Sequence, residues 1–258
     1  MTNTSAANGG GSTTTTQGPR WLARAGLLLA LGLLLPVSLR PGITPHPTLA
    51  GVSAALAFTA CGLVALLLTT ALWNRTLLRG RLAAELRRGN LAAGMVAGAH
   101  AVGTGIVASH CFAAGTLADL PVGAIFFAVA EIALVLLSLC FRALTDYADD
   151  QEITGENRAA AVSYAGVVLA RSLIVGHASD GAFLGWLPAL RSFAMFLLWA
   201  LFLYPVRQVV VARWLLGLPL AWRGGALDRA VARDHDWVVS CVEAAGYLAA
   251  ALLATGLS

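Results

Sequence analysis

Seven apolar blocks of about 20 residues each dominate this sequence. They cover approximately residues 21–39, 49–73, 91–113, 120–143, 159–178, 187–206 and 237–257. Twenty residues of α-helix rise about 30 Å, which matches the hydrocarbon core of a bilayer. A helix also satisfies its backbone hydrogen bonds within one segment, as lipid requires. The pattern therefore predicts an all-α protein, a polytopic transmembrane helix bundle of seven spans.

The composition excludes a soluble domain. Charged residues make up 12% of the 258 residues, against 58% hydrophobic residues, whereas soluble domains carry about 25% charged residues. All 17 basic residues are arginines, and they are spread over segments between apolar blocks. No compact basic domain exists to bind nucleic acid, so the expected partner is the lipid bilayer.

The blocks group into a leading span and three tandem helical hairpins. The predicted units are a disordered tail (1–19), the leading span (20–40), hairpin 1 (41–115), hairpin 2 (116–180) and hairpin 3 (181–258). The leading span is either retained or removed as a signal sequence. We favour a retained span, because Arg40 and Pro41 follow it instead of a small-x-small cleavage site.

The arginine distribution predicts the orientation, because short cytoplasmic segments are enriched in basic residues. With a cytoplasmic N-terminus, 14 of the 17 arginines lie in cytoplasmic segments. They are Arg20, Arg24, Arg75, Arg79, Arg81, Arg87, Arg88, Arg142, Arg158, Arg207, Arg213, Arg223, Arg229 and Arg233. We therefore expect a multi-pass protein of the bacterial inner membrane, with its C-terminus periplasmic or extracellular.

The three hairpins share a polar residue where the returning helix begins. Asn90, Asn157 and Asp236 align in RRGNLAAGMVAGA, TGENRAAAVSYAG and RDHDWVVSCVEAAG. Asn and Asp at such a position cap free backbone N–H groups, which is the interpretation we favour. The alternative is a ring of polar groups at the inner mouth of the bundle. The alignment predicts an internal repeat.

These segments resemble the YjfL-type inner-membrane proteins, the family known as domain of unknown function 350. The resemblance rests on EITGENRAAAVSYAG (152–166) and, less closely, on ELRRGNLAAGMVAGA (85–99). It covers residues 49–257. Typical members of the family resemble a pair of such hairpins, whereas this chain has three. The third hairpin departs from the motif, because Asp236 replaces the asparagine and Trp-Val-Val replaces the alanine run. The resemblance implies the helical architecture and no particular activity.

Three ionisable residues fall inside the spans, where such groups mark functional sites by default. Glu131 and Arg171 lie on neighbouring spans, and the sequence predicts an ion pair between them. Glu243 lies closer to the inner surface and can face the same interior. The pair is either part of a polar pathway or a static device that fixes the helix register.

Two histidines occupy equivalent positions near the outer surface. His110 and His177 are followed by Asp119 and Asp180 in short outer loops. Imidazole and carboxylate groups suit a divalent metal such as zinc. The spacing matches no metal motif, so we favour ordinary interfacial side chains and expect no metal site.

Two cytoplasmic segments have alternative interpretations. The acidic stretch 145–157 is a solvated loop, a docking surface for a basic cytoplasmic protein, or a vestibule that attracts cations. The segment 206–224 contains anchor residues typical of a helix lying at the membrane interface, namely Arg207, Arg213, Trp214 and Trp222. A simple extension of the sixth span into water is the other interpretation.

The sequence contains no catalytic motif and no cofactor-binding motif. We therefore expect no catalytic residue and no cofactor, and two classes of function remain. The first is a small channel or transporter for ions or small solutes, which can act as a homo-oligomer. The second is a non-transporting scaffold or partner subunit that docks a cytoplasmic protein.

Overall fold

The computed structural model describes residues 17–43, 48–113, 115–180 and 183–256. Every regular element in these ranges is helical. Most of the tail predicted for residues 1–19 lies outside the described residues. The elements are, in chain order, α1 (Gly18–Leu39), α2 (Leu49–Thr76), α3 (Leu82–Arg88), α4 (Leu91–Cys111), α5 (Leu120–Leu144), α6 (Asp149–Thr154), α7 (Arg158–His177), α8 (Trp186–Val206), α9 (Ala226–Ala232) and α10 (Trp237–Gly256).

Seven of the described helices are long and apolar enough to cross a membrane. They are α1, α2, α4, α5, α7, α8 and α10. The helices α3, α6 and α9 are short, and each directly precedes a long helix. The protein is therefore an all-α polytopic helix bundle, as its sequence predicts.

The helices α1, α4, α7 and α10 pack side by side in one row. The two middle members, α4 and α7, are 78% and 72% buried over their apolar windows, against 22–33% for the other five long helices. Glycines permit the contact between α1 and α4, because a Cβ atom at Gly26 would lie 2.5 Å from the Cα of Gly98. Close packing of small residues holds helices together where lipid provides no hydrophobic drive.

The bulkier helices α2, α5 and α8 lie outside this row. Their exposed side chains are large and apolar, with Leu68, Leu136 and Phe202 each more than half exposed. In a bilayer these faces meet acyl chains, so their exposure carries no penalty. The division into a small-residue interior and a bulky exterior agrees with the residue types that the spans carry.

Asn90, Asn157 and Asp236 cap α4, α7 and α10. The side-chain oxygen of Asn90 accepts a hydrogen bond from the N–H of Ala93 at 3.1 Å, and Asn157 binds the N–H of Ala160 at the same distance. Asp236 accepts from two backbone N–H groups of the first turn of α10, at 2.9 and 3.1 Å. The capping interpretation agrees with this geometry.

The two asparagines also connect neighbouring hairpins. The amide nitrogen of Asn90 donates to the carbonyl of Ile153 in α6 at 2.8 Å. The amide nitrogen of Asn157 donates to the carbonyl of Val231 in α9 at 2.9 Å. Each bond joins the start of one central helix to the short helix of the next hairpin. We call this end of the bundle the short-helix end, and the opposite end, where α4 and α7 finish, the histidine end.

The sixth span continues beyond α8 as a π-helix, Arg207–Leu215. The wider turn begins two residues after Pro205, which has no N–H to donate and crowds the preceding turn. No break separates the π-helix from α8, and one candidate span covers Trp186–Leu215. The segment 206–224 is therefore continuous with the sixth span up to Leu215. Residues 216–224 form no regular helix.

Candidate functional site

A row of polar and aromatic side chains lies between α2, α4, α5 and α7. Nε2 of His100 lies 2.9 Å from the hydroxyl of Tyr164. The rings of His100 and Trp73 have centroids 4.5 Å apart, and the indole N–H of Trp73 donates to Oε2 of Glu131 at 3.3 Å. The other carboxyl oxygen of Glu131 is buried and has no hydrogen-bond partner. The predicted candidate Glu131 therefore belongs to a buried polar network with an unused acceptor.

Arg171 is the second predicted candidate, and its side chain is 2% exposed. Its Nε donates to the carbonyl of Val167 at 3.0 Å, one turn earlier in α7. Its guanidinium carbon lies 5.2 Å from the centroid of the Phe141 ring. Nη1 is buried without a hydrogen-bond partner. The guanidinium is thus held by a carbonyl and an aromatic face, and by no carboxylate among the described residues.

The predicted ion pair between Glu131 and Arg171 is wrong. Helical side chains lean towards the N-terminus of their own helix, and α5 and α7 run in opposite directions. The two side chains therefore diverge: Arg171 leans towards the short-helix end and Glu131 towards the histidine end. The contact of Arg171 with Phe141 agrees, because Phe141 lies ten residues, about 15 Å, along α5 from Glu131.

A small cavity adjoins the guanidinium of Arg171, and we call it the Arg171 cavity. Its volume is about 10 Å³, enough for about one water-sized particle. The hydroxyl of Ser172 in its wall is buried and has no partner. No carboxylate lines it. The lining residues are Trp73, His100, Thr104, Leu134, Ser138, Val168, Arg171 and Ser172.

Glu243, the third predicted candidate, belongs to a buried ionic cluster. Nε of Arg207 lies 2.5 Å from Oε1 of Glu243, and Nη2 of Arg207 lies 2.5 Å from Oδ1 of Asp228. The hydroxyl of Tyr247 donates to Glu243 at 3.0 Å, and the backbone N–H of Asp146 donates to Asp228 at 2.9 Å. This cluster joins α9, α10 and the π-helix.

Sequence reasoning missed two members of this cluster, Arg207 and Asp228. Arg207 follows an apolar span, so the sequence assigns it to the cytoplasmic arginines and to the interfacial anchors. In the structure it is 1% exposed. Asp228 lies 21 residues further on, beyond an irregular segment. The only signal in the sequence was a buried Glu243 that needed a cation.

A larger cavity of about 190 Å³ lies at the short-helix end, between α2, α5 and α6. We call it the vestibule. Asp149 and Asp150 lie in its wall, and Asp150 pairs with Arg79 and with Arg142, the latter at 3.0 Å. Burial raises the pKa of Asp149 to about 6, although Arg142 lowers it in part. The carboxyl of Asp149 therefore titrates close to neutral pH.

The vestibule shares lining residues with two smaller cavities in the interior. Ser138 lines the vestibule, the Arg171 cavity and a third cavity of about 30 Å³. This third cavity is bounded by Arg171, Tyr164, Asp149 and Glu243. The three cavities, together with the Trp73–Glu131 contact, form what we call the polar interior. It connects the acidic short helix α6 with the centre of the bundle.

The carboxylates of the acidic stretch 145–157 contact mainly other residues of this chain. Asp149 and Asp150 are buried, Glu152 accepts a hydrogen bond from Asn157 at 2.9 Å, and Glu156 lies 3.7 Å from Arg88. The carboxylates of α6 thus face the vestibule and the neighbouring hairpins. Of the three sequence interpretations, this arrangement agrees best with a vestibule.

The structure brings three of the four predicted residues together at the histidine end, namely His110, His177 and Asp180. Nδ1 of His110 lies 2.6 Å from one oxygen of Asp180, and Nδ1 of His177 lies 3.0 Å from the other. Asp119 lies apart, where it accepts hydrogen bonds from Thr116 that lower the pKa of its carboxyl. Within the described residues no group of three or more His, Cys, Asp or Glu side chains has an arrangement that could hold a metal ion.

A family model for a domain of unknown function, DUF350, matches residues 46–121 and again residues 115–257. The chain belongs to the DUF350 family. The two DUF350 matches together span all three hairpins and leave out α1. No curated protein and no solved structure matches the chain significantly. DUF350 membership thus supports the architecture, and the polar interior is the feature that bears on function.

Proposed function

We propose that this protein is a channel or transporter for small ions in the bacterial inner membrane. The observation that carries the proposal is the polar interior, in which Arg171 and Glu131 are buried with unused hydrogen-bonding atoms. Ionisable groups inside a bundle are costly, and they commonly mark ion pathways.

The proposed orientation puts the short-helix end in the cytoplasm. The arginines that follow α2 and α5, and those around α9, support it, because basic residues are enriched in cytoplasmic segments. Ions would then enter through the vestibule from the cytoplasm. The buried carboxylates of α6 would tune the potential at this entrance.

The pathway would be closed towards the histidine end in the conformation described. Phe112 and Phe127 are buried there, with ring centroids 5.6 Å apart. Val107 and Ala108 of α4 are also buried in the apolar core. Transport therefore requires these layers to separate, which places the gate of the proposed pathway between α4 and α5.

A flux assay tests the proposal. The purified protein is reconstituted into liposomes, and the release of K⁺ and of Cl⁻ is followed with ion-selective electrodes after a membrane potential is imposed. We expect release above that of protein-free liposomes for at least one ion. Equal release from both kinds of liposome, for both ions and both signs of the potential, would contradict the proposal.

The docking alternative is less well supported. A docking surface needs carboxylates that a basic partner can reach. Asp149 and Asp150 of α6 are instead buried. They lie beside Arg79 and Arg142. A pull-down of the full chain and of an Asp149→Asn, Asp150→Asn variant is the direct comparison. Loss of a reproducible partner in the variant would favour docking over transport.

A further inference from the structure

Arg171 holds a buried positive charge that the described residues leave without a carboxylate partner. Its guanidinium is 2% exposed and makes one hydrogen bond, to a carbonyl of its own helix. Transfer of a charged group from water into a protein interior costs several kcal/mol unless a counter-charge accompanies it. An unpaired guanidinium is therefore expensive to keep in a stable helix such as α7.

Elsewhere the same chain places carboxylates beside a buried arginine, although Nη1 of that arginine, Arg207, is also without a hydrogen-bond partner. Arg207 is equally buried, and Glu243 and Asp228 bind it at 2.5 Å each. The contrast indicates that Arg171 is not unpaired for lack of available acidic residues. Its counter-charge can instead come from a ligand.

The second observation is the Arg171 cavity itself. Nη1 of Arg171 and Oγ of Ser172 are both buried without partners, and both residues line the same cavity. A guanidinium and a hydroxyl are hydrogen-bond donors. No carboxylate is among the lining residues of this cavity, and Glu131 is hydrogen-bonded to one of them, Trp73. Two unused donors on residues that line one small cavity make a candidate site for an anion.

The volume limits what the anion can be. The cavity holds about 10 Å³, so a carboxylic acid, phosphate or sulfate does not fit without large movements. A monatomic ion comparable in size to water does fit. Fluoride enters as the structure stands, and chloride requires the neighbouring side chains to move outward.

We propose that Nη1 of Arg171 and the hydroxyl of Ser172 bind a halide ion in the Arg171 cavity. This inference rests on the proposed function and deepens it, because the bound halide is the transported ion. The vestibule then acts as the approach from the short-helix end, where Arg79 and Arg142 offset its two carboxylates. Ser138 lines both cavities.

Binding is tested separately from transport. The thermal stability of the detergent-solubilised full chain is measured in sodium fluoride, chloride and gluconate at constant ionic strength. We expect saturable stabilisation by a halide but none by gluconate, because a ligand that binds only the folded state raises its stability. Arg171→Met removes this response, and Ser172→Ala weakens the halide affinity roughly 3–10-fold, the equivalent of one hydrogen bond.

Arg191→Gln is the matched control, because Arg191 is also an arginine within a span but is exposed. It should respond to halide as the wild type does. If Arg171→Met fails to fold, Ser172→Ala and Arg191→Gln still decide the question. Wild-type stability that does not depend on halide, or a response unchanged in Ser172→Ala, overturns the halide site.

The liposome assay separates this inference from the proposed function. K⁺ release without halide release, and without halide stabilisation, overturns the halide site and leaves transport standing. Halide stabilisation without any ion release overturns transport and supports a bound halide as a static counter-ion. Halide release that is lost in Arg171→Met and retained in Arg191→Gln supports both.

Discussion

Two buried arginines of this protein, Arg207 and Arg171, have opposite environments. Arg207 lies at the start of the π-helix, between two carboxylates on α9 and α10. Arg171 lies in the central helix α7, against a phenylalanine ring and its own backbone. Both are 2% exposed or less. The same residue type thus serves as a connector in the third hairpin and as an unneutralised charge in the second.

The difference shows how a buried charge can be assigned a role from its partners. A paired arginine links secondary-structure elements. Its removal leaves the carboxylates that it neutralised buried without a counter-charge. An unpaired arginine contributes little to the fold, and its removal relieves a desolvation cost. The two sites therefore predict stability changes of opposite sign for similar substitutions.

The largest expected effect is at Arg207. Arg207→Gln leaves the carboxylates of Glu243 and Asp228 buried side by side without a cation, which costs about 3–5 kcal/mol. We expect a severe loss of folded protein, measured as the monodisperse fraction after detergent extraction. The triple variant with Glu243→Gln and Asp228→Asn should recover part of the yield. A normal yield of Arg207→Gln alone would remove the distinction between the two arginines.

At Arg171 the expected sign is reversed. Arg171→Met keeps the volume and removes the unpaired charge, so we expect stabilisation of about 2 kcal/mol. The measurement is the melting temperature in halide-free detergent buffer. A large destabilisation would mean that the fold depends on the guanidinium, and the contrast with Arg207 would then fail.

The capping residues extend the comparison to whole hairpins. Asn157→Ala loses a helix cap and the bond to the carbonyl of Val231, together about 2 kcal/mol. Asp236→Ala loses only the cap of α10, about 1 kcal/mol. Melting temperatures of the two variants test this order. Equal losses would show that the bond between hairpins contributes nothing.

Asp149 predicts a pH dependence of the stability. The folded state holds the proton of this carboxyl with a pKa of about 6, above the unfolded value of about 3.9. The stabilisation from that proton is therefore complete below about pH 4 and is lost as the pH rises through 6. Asp149→Asn should flatten this part of the stability curve, by about 3 kcal/mol at pH 7. An unchanged slope between pH 4 and 7 would contradict the assignment.

Much of the fold follows from local sequence patterns. The lengths of the apolar blocks predict the spans, and Asn90 and Asn157 predict the helix starts, because capping depends on neighbouring backbone atoms. The grouping of His110, His177 and Asp180 follows from equivalent positions at the end of two parallel helices. Each of these predictions needs only the helix rise and the direction of the chain.

The errors concern side-chain direction and distant partners. Glu131 and Arg171 lie about 15 Å and 10 Å from the histidine end of neighbouring spans, a difference that a long arginine side chain can close. The lean of each side chain towards its own N-terminus instead directs the two groups apart. The partners of Arg207 come from α9 and α10, and an irregular segment between the π-helix and α9 hides this proximity from any periodic pattern. Both errors concern tertiary placement, which spacing alone does not determine.

The hydrogen bonds of the capping residues have a consequence for the size of the molecule. The side-chain amide of each asparagine donates a hydrogen bond to a carbonyl of the following hairpin. The corresponding residue of the third hairpin is Asp236, whose carboxylate accepts from the backbone and has no N–H to donate. The two asparagines thus join successive hairpins into a linear array, as contacts between neighbouring units do in a repeat protein. Such an array grows or shrinks by whole hairpins while its junctions stay the same. An asparagine at position 236 could join a further hairpin in the same way, because its amide would donate to a carbonyl of that hairpin.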